Sequence, residues 1–323
     1  HKPNTPGAIF KQRYGDCKDK SLLLCTLLKA NNIDAQMVYV NTNSRAKTQD
    51  FLPSPIVFNH AVVKADLEGT RYWIDPTIAY QRGPISSQAF PHYEMGLVIK
   101  EGINDLTETG QGINGYTRIV ETFSLDKDST SAILEVNTQY FFNQADDARD
   151  KYASASLEEL EKSYLDYYSK LYGEVESIGE LTHEDNEEEN KFTIHEKYKI
   201  ADFWKKNEKE KTVACNFHAQ SISDLLRIVA GKERTAPIAL DYPCFLQYQI
   251  TIETPAPVSV SDLAFDLRKT AYRFNLRPVS SNNKINLFYE YETLKESVPA
   301  ENAQEYIADF KDISERLDYT LTV

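Results

Sequence analysis

Three long stretches of this chain alternate apolar and polar residues, and no other feature restricts its possible folds as strongly. They are YTRIVETFSL at 116–125, SAILEVNTQYFF at 131–142 and KFTIHEKYKI at 191–200. Such alternation is typical of antiparallel strands with one buried and one solvated face. Further strands are predicted for CFLQYQITIET, VSVSDLAF, TAYRFNLRPV and KINLFYEYETL. We therefore expect a mainly antiparallel, β-sandwich-like domain in the second part of the chain.

Helices are predicted to interrupt and to close this sheet. One covers roughly 146–172, with Ser156 as a cap, an apolar stripe on one side and Gly173 as its stop. Another covers about 300–317 and leads into a last short strand. The second domain is thus a β-rich domain with an inserted helix and a C-terminal helix.

The first part of the chain has a different pattern. It begins with a buried helix, continues with a strand and ends in a hairpin that turns at Glu68 and Gly69. The segments are KSLLLCTLLKA at 20–30, AQMVYVN at 35–41, NHAVVKADL at 59–67 and TRYWIDPT at 70–77.

Residues 84–115 separate the two patterns. They are rich in Gly, Pro, Ser and polar residues and show no sustained period, which suits a linker or a closing loop. The sequence therefore predicts an α+β protein with two domains. Residues 1–112 would form a helix plus antiparallel sheet, and residues 113–323 the β-rich domain.

Composition and charge exclude several classes of function. The 323 residues include 36 basic and 49 acidic side chains, and the net charge of −13 argues against a nucleic-acid partner. No segment offers the run of about 18 apolar residues that a membrane-spanning helix needs. The four cysteines lack metal-ligand spacing, and the acidic run HEDNEEEN at 183–190 lacks the ligand pattern of an EF-hand. We expect a solvated hairpin loop at that run, and no metal or cofactor.

Cys17 differs from the other cysteines in its surroundings. It lies in YGDCKDKSLLL at the first turn of the predicted helix, where unpaired backbone N–H groups and the helix dipole favour a thiolate. Lys18 and Lys20 add positive charge, and Gly15 would permit the close approach of a substrate carbonyl. Buried, inert thiols are expected where apolar neighbours surround them, at Cys25 and Cys215.

The predicted hairpin brings His60 and Asp75 together. With a two-residue turn at 68–69, Asp66 faces Arg71, an opposite-charge pair that supports this register. In the same register His60 and Asp75 share one face on a diagonal, within reach of a hydrogen bond. Such an acid fixes the tautomer of the imidazole and stabilises its charged form, while the other ring nitrogen meets a thiol.

Three motifs resemble the transglutaminase-like superfamily, whose core is papain-like. They are GDCKDKS at the helix start, FNHAVV on a following strand and YWIDPT after the hairpin. The chain is most similar to bacterial members in which a transglutaminase-like domain, matched here over roughly residues 1–100, precedes a β-rich domain. RTAPIALDYP at 234–243 resembles that trailing domain more loosely. By position, the resemblance implies Cys17 as nucleophile, His60 as base and Asp75 as its orienting acid.

The resemblance also implies a function, which is thiol-dependent acyl transfer on peptide or side-chain amides of a peptide or protein substrate. Hydrolysis by a cysteine protease or amidase is favoured over transfer to an amine by a transglutaminase. A non-catalytic surface or periplasmic interaction module that retains the triad is the alternative from another class. The resemblance implies a periplasmic or cell-surface location.

The resemblance further implies that the papain-like core is truncated. The family has a helix before the Cys motif, so we expect that helix, with part of the cleft, to precede residue 1 together with a further N-terminal domain.

Other chemically active side chains receive structural interpretations. Asp16 and Asp19 are predicted to cap the helix start. Trp73 is expected to be packed in the sheet rather than to line a cleft. His92, in FPHYEMG, is expected to lie in a surface loop. Two more histidines in alternating strands are predicted to be structural, His195 and His218.

Overall fold

A computed structural model of the chain describes residues 2–110, 112–126, 130–207, 212–226, 236–260 and 263–322. Its contacts divide the chain into two units, His1–Ile113 and Asn114–Val323. The two units combine helices with mainly antiparallel sheets, so the predicted α+β class is confirmed.

The first unit is a five-stranded antiparallel sheet with helices. The helices are α1 (Pro6–Gln12) and α2 (Cys17–Ala30), and the strands are β1 (Asp34–Val40), β2 (His60–Leu67), β3 (Thr70–Ile74), β4 (Met95–Val98) and β5 (Thr107–Glu108). The strand order is β3-β2-β1-β4-β5. Short 3-10 turns lie at Arg45–Asp50, Pro55–Val57 and Ile85–Ser87.

Helix α2 packs on the sheet through an apolar face centred on Cys25. This side chain lies in one buried cluster with Ala35, Val63 and Ala65, and Leu24 packs against the same cluster. The two alanines are small, so the helix can approach β1 and β2 closely. This packing places the start of α2 next to the first residues of β2.

Helix α1 was not predicted. A helix of seven residues lies directly in front of α2. Pro6 stands in its first turn, where the fixed backbone angle of proline suits a helix start. Seven residues are too few to show a clear helical period, which explains why the pattern did not reveal it.

The hairpin of β2 and β3 has the predicted register. Asp66 pairs with Arg71, and Glu68 and Gly69 form the turn. Both turn residues have positive φ, +50° and +81°, as a two-residue turn that matches the twist of the strands requires. The Arg71 Nε donates to Asp66 Oδ1 at 2.9 Å.

The second unit contains most of the strands. Its strands are β6 (Tyr116–Leu125), β7 (Ala132–Phe141), β8 (Val175–Ser177), β9 (Thr182–Asn186), β10 (Lys191–Ile200), β11 (Lys205–Asn207), β12 (Thr212–His218), β13 (Ile238–Ala239), β14 (Cys244–Glu253), β15 (Phe265–Arg268), β16 (Tyr272–Ser281), β17 (Lys284–Thr293), β18 (Ser297–Val298) and β19 (Asp318–Thr322). Its helices are α3 (Asn143–Ser154), α4 (Leu157–Tyr172), α5 (Gln220–Ser223) and α6 (Ala303–Ser314).

A nine-stranded sheet organises this unit, in the order β15-β16-β17-β14-β6-β7-β10-β8, with β9 paired to β10. A three-stranded sheet (β11-β12-β19) contributes to the same large core, and a two-stranded sheet joins β13 to β18. Among the described residues, the strands pair antiparallel except for β6 with β14, which run parallel. The sheet is therefore mainly antiparallel, as predicted.

Some predicted elements differ in detail. The single helix over 146–172 is two helices, because Ala155 is extended and Ser156 caps a new helix by accepting from the backbone N–H of Glu159. The acidic run at 183–190 is partly strand β9, so its loop is shorter than predicted. In VSVSDLAF only Phe265 belongs to a strand, and residues 261–262 lie outside the described part. The first two residues of RTAPIALDYP, 234–235, also lie outside it.

None of the helices that the structure describes is long and apolar enough to cross a membrane.

Candidate active site

The start of helix α2 is fixed by a reciprocal cap around Cys17, the first helical residue. Asp16 Oδ1 accepts hydrogen bonds from the backbone N–H groups of Lys18 and Asp19, at 3.0 and 3.1 Å. The Asp19 carboxylate accepts in return from the Asp16 N–H at 3.3 Å, and from the backbone and side chain of Asn4 at 2.7 and 3.2 Å. The two acids thus cap the helix as predicted, and they hold Cys17 at its N-terminus.

Gly15 is a position where a side chain would not fit. A Cβ atom at this position would lie 2.7 Å from the Asp19 Cβ and 3.3 Å from Ile9 Cδ1. The glycine therefore makes room for the capping acid and for α1. The backbone N–H of Cys17 donates no hydrogen bond within the described part of the chain. It is available to an anionic oxygen that approaches the thiol.

The four thiols differ in exposure and in proton affinity. Cys25 and Cys215 are buried as predicted, and burial raises the pKa of these thiols to about 11 and about 12. Burial, followed by the negative charges of two nearby carboxylates, raises the pKa of Cys244 to about 11. Cys17 is partly exposed at the helix start. The thiols of Cys25, Cys215 and Cys244 are inert at neutral pH, because the thiolate is the reactive form.

His60 and Asp75 lie in direct contact. His60 is the first residue of β2, Asp75 follows directly after β3, and His60 Nε2 lies 2.8 Å from Asp75 Oδ2. The Asp75 side chain is 2% exposed and that of His60 is 15% exposed. Because Nε2 faces the acid, the remaining ring nitrogen, Nδ1, is the one available to a reacting group.

Two further side chains, which sequence reasoning missed, hold the Asp75 carboxylate. Its Oδ1 accepts from the backbone N–H of Thr77 at 2.9 Å and from the Thr77 hydroxyl at 2.6 Å. Its Oδ2 also accepts from the Tyr93 hydroxyl at 2.6 Å. Burial raises the pKa of Asp75, but hydrogen bonds from His60, Thr77 and Tyr93 outweigh it, so the net shift is downward. The carboxylate is ionised at neutral pH.

Tyr93 also packs against the imidazole. The two ring centroids lie 5.7 Å apart, Phe90 meets Tyr93 edge to face at 5.3 Å, and Trp73 lies 6.0 Å beyond Phe90. Trp73 is thus packed, as expected. His92 is 7% exposed, so its interpretation as a surface-loop residue was wrong. The chain around His92 runs back to the sheet just before β4, and this path places Tyr93 next to Asp75.

A buried hydrogen bond connects the helix of Cys17 to the strand of His60. Ser21 Oγ, one turn after Cys17, donates to the carbonyl oxygen of Ala61 at 2.9 Å. Residues four apart share one face of a helix, so Ser21 and Cys17 both face β2. This contact positions the thiol relative to the imidazole.

A cavity of about 280 Å³ opens where the helix start meets the beginning of β2. Cys17 and His60 both line it, and the other lining residues are Lys18, Tyr39, Pro55, Phe58 and Asn59. Asp75 lies behind His60 and does not line the cavity. In the described part of the chain, no group of three or more His, Cys, Asp or Glu side chains could hold a metal ion.

Comparisons with known proteins give little further information. No protein-family model matches the chain, and no curated protein matches it. One solved structure, described as "a putative protease" from Parabacteroides distasonis, superposes with a TM-score of 0.49 at 11% sequence identity. The superposition covers 99% of this chain and 46% of that one, so the chain spans about half the length of that protein.

Proposed function

We propose that the first unit carries a thiol-dependent acyl-transfer site with Cys17 as nucleophile, His60 as general base and Asp75 as orienting acid. One observation carries the proposal. The thiol and the imidazole line the same cavity, while the far nitrogen of that imidazole is held by a buried, ionised carboxylate. This is the arrangement that base-activated nucleophiles require.

The chemistry proceeds in two stages. His60 Nδ1 accepts the thiol proton, and Cys17 Sγ attacks the carbonyl carbon of an amide. The resulting oxyanion lies within the field of the helix N-terminus, with the Cys17 N–H as a donor. Collapse breaks the C–N bond, His60 returns its proton to the departing amine, and a thioester remains. Water, deprotonated by His60, then releases a carboxylic acid and restores the thiol.

The acceptor decides between two reactions. The resemblance of the Cys, His and Asp motifs to the transglutaminase-like superfamily is compatible with water or with an amine as the group that resolves the thioester. We favour hydrolysis, as in a cysteine protease or amidase. Release of a free acid or formation of a new amide distinguishes the two.

Turnover of fluorogenic peptide amides, with and without an added primary amine, tests the proposal. We expect activity that Cys17→Ala abolishes and that Cys244→Ala leaves intact, because the Cys244 thiol is protonated at neutral pH. Equal activity of the intact chain and the Cys17→Ala variant would show that the thiol is not the nucleophile.

Alkylation gives a test that needs no substrate. Iodoacetamide near neutral pH should label Cys17 faster than the three other cysteines, as measured by peptide mass spectrometry over time. His60→Ala should slow the labelling of Cys17 selectively. Labelling of Cys17 at the rate of Cys25 would contradict an activated thiol.

A further inference from the structure

The cavity beside Cys17 and His60 is apolar on one side. The rings of Tyr39 and Phe58 lie 6.2 Å apart, and Pro55 continues this wall. Aromatic rings and proline bind apolar groups by excluding water and offer little to a charged group. The wall and the thiol line the same cavity, so an acyl group attacked there lies beside the wall.

Two polar side chains of the lining, Lys18 and Asn59, already have partners. Lys18 Nζ lies 2.8 Å from the Asp16 carboxylate, in a partly exposed ion pair. Asn59 Oδ1 accepts from the backbone N–H of Thr42 at 3.0 Å, and Asn59 Nδ2 donates to the Thr42 hydroxyl at 3.0 Å. A charged substrate group placed against the wall of Tyr39, Pro55 and Phe58 would lose hydration without meeting a counter-charge in that wall.

The segment that carries Pro55 and Phe58 is held in place. Asn41 Nδ2 donates to the carbonyl oxygen of Val57 at 2.5 Å, and the Asn59 N–H donates to the Val40 carbonyl at 3.2 Å. Both contacts anchor the segment to the end of β1, an inner strand of the sheet. The apolar wall is therefore preorganised, and little ordering cost opposes binding.

From these observations we infer that the cavity is a specificity pocket that accepts a large apolar side chain on the acyl side of the attacked amide. The inference rests on the proposed function and names its substrate class, which is peptides with Phe, Leu or a similar residue next to the reacting carbonyl. Peptides with Glu or Lys at that position bind weakly, because the apolar wall offers no charged group to receive them.

A peptide panel on the unsubstituted chain tests the inference. The probes are aminocoumarin amides that differ only in the acyl-side residue, which is Phe, Leu, Ala, Gln, Glu or Lys. We expect kcat/KM for Phe and Leu to exceed that for Glu and Lys by about tenfold or more, the range that apolar pockets provide. A preference for Glu or Lys, or equal rates across the panel, would overturn the inference.

Substitution of the wall sharpens the test. Phe58→Asp should remove the preference for apolar residues and improve Lys peptides relative to the unsubstituted chain. Phe51→Asp is the matched control, since Phe51 belongs to the same exposed segment and does not line the cavity. It should leave the order of substrates unchanged. Identical substrate orders for the Phe58→Asp and Phe51→Asp chains would contradict a role for the wall.

Binding without turnover separates this inference from the proposed function. Fluorescence anisotropy of labelled pentapeptides with the Cys17→Ala chain should show tighter binding of Phe peptides than of Lys peptides. If that preference is present but the intact chain shows no Cys17-dependent turnover, the pocket stands and the proposed reaction fails. If turnover depends on Cys17 but charged peptides are preferred, the reaction stands and the pocket assignment fails.

Discussion

Asp75 in the first unit and Glu121 in the second have the same low solvent exposure, yet their pKa values move in opposite directions. Each is 2% exposed. The pKa of Asp75 falls below its ordinary value, whereas burial raises the pKa of Glu121 to about 7. Burial alone therefore does not decide whether an interior carboxyl group is charged.

The number of hydrogen-bond donors contributes to the difference, together with the deeper burial of Glu121 and the nearby charge of Glu196. Asp75 receives two bonds from Thr77 and one from Tyr93, and His60 Nε2 lies within hydrogen-bond distance. Glu121 accepts from the Tyr168 hydroxyl at 3.1 Å, with the Tyr248 hydroxyl nearby. Hydrogen bonds to a charged group contribute about 1.5–3 kcal/mol each, so four donors can offset a burial cost that one or two cannot.

Position in the sheet explains why the donors are available. Asp75 follows the end of β3, where the chain turns and the Thr77 N–H is free of the ladder. Glu121 lies in the middle of β6, between β14 and β7, where backbone groups are already paired. Glu196 is its counterpart on β10, facing the same Val136 of β7, and burial also raises its pKa to about 7. A strand end thus suits a charged acid, and a strand centre favours a neutral one.

The largest expected effect comes from removing the charge of Asp75. Asp75→Asn removes the charge and favours the wrong imidazole tautomer, so kcat/KM of Cys17-dependent turnover should fall by about 10³-fold or more. Glu121→Gln changes an acid of the same low exposure in the other unit. It should leave turnover within about twofold of the unsubstituted chain, since distant sites that share no partners act independently. Steady-state kinetics of both variants check this. Similar losses in both would mean that Asp75 acts only through folding.

A second prediction concerns stability and pH. A carboxyl group whose folded pKa is raised from 4.5 to about 7 stabilises the protein fully below pH 4.5 and loses that contribution as the pH rises to about 7. For Glu121 the difference corresponds to about 3 kcal/mol of unfolding free energy. Glu121→Gln should flatten the fall in stability between pH 5 and 7, as urea unfolding at several pH values would reveal. An unchanged slope would contradict a raised pKa of Glu121.

A third prediction compares two tyrosines that each donate to a buried acid. Tyr93→Phe removes a 2.6 Å bond to ionised Asp75, and should raise the pKa of Asp75 and lower kcat/KM by about tenfold, the value of one such bond. The acid limb of the pH–rate profile should move to higher pH, because Asp75 then protonates earlier as the pH falls.

Tyr198→Phe is the matched change, since it removes a 2.7 Å bond to Glu196. It should leave the pH–rate profile in place and alter only stability. Equal shifts of the profile in both variants would remove the distinction between the two acids.

The smallest expected effect tests the turn that brings Asp75 to His60. Gly69 has φ of +81° with open space around it, so Gly69→Ala should cost about 1 kcal/mol of stability through backbone strain alone. Gly7→Ala, in helix α1 without positive φ, should be neutral or slightly stabilising. Thermal unfolding of the two variants provides the measurement, and an equal effect of both would argue against strain at the turn.

Much of the environment of Asp75 was predictable, because it is formed by residues close to Asp75 in the chain. The hairpin register follows from a two-residue turn and from the Asp66 and Arg71 pair, and it sets His60 against Asp75 over only 15 residues. The Asp-Pro-Thr sequence also carries a signal that was overlooked, since an Asp side chain often accepts from the N–H two residues later. Tyr93 had no such signal, because its approach depends on the path of a long irregular segment.

The two acids with a raised pKa, Glu121 and Glu196, illustrate the opposite case. Alternation in β6 and β10 placed Glu121 and Glu196 among residues that face inward, but it could not show that three tyrosine hydroxyls accompany them. Strand β6 pairs with β14, a partner more than 120 residues away in the chain. Pairings at such separation are not encoded in any short window, because their stability comes from the shared core rather than from a turn.

The sequence by itself determined the helix start at Cys17, the hairpin register and the alternating strands, since each depends on contacts between near neighbours in the chain. Only the tertiary structure decided that α1 lies in front of the Cys motif, that Ser21 bonds to the β2 strand and that Tyr93 reaches Asp75. The cavity wall of Tyr39, Pro55 and Phe58 belongs to this second group. These features depend on how long loops close and how elements pack, and side-chain chemistry in a local window does not specify either.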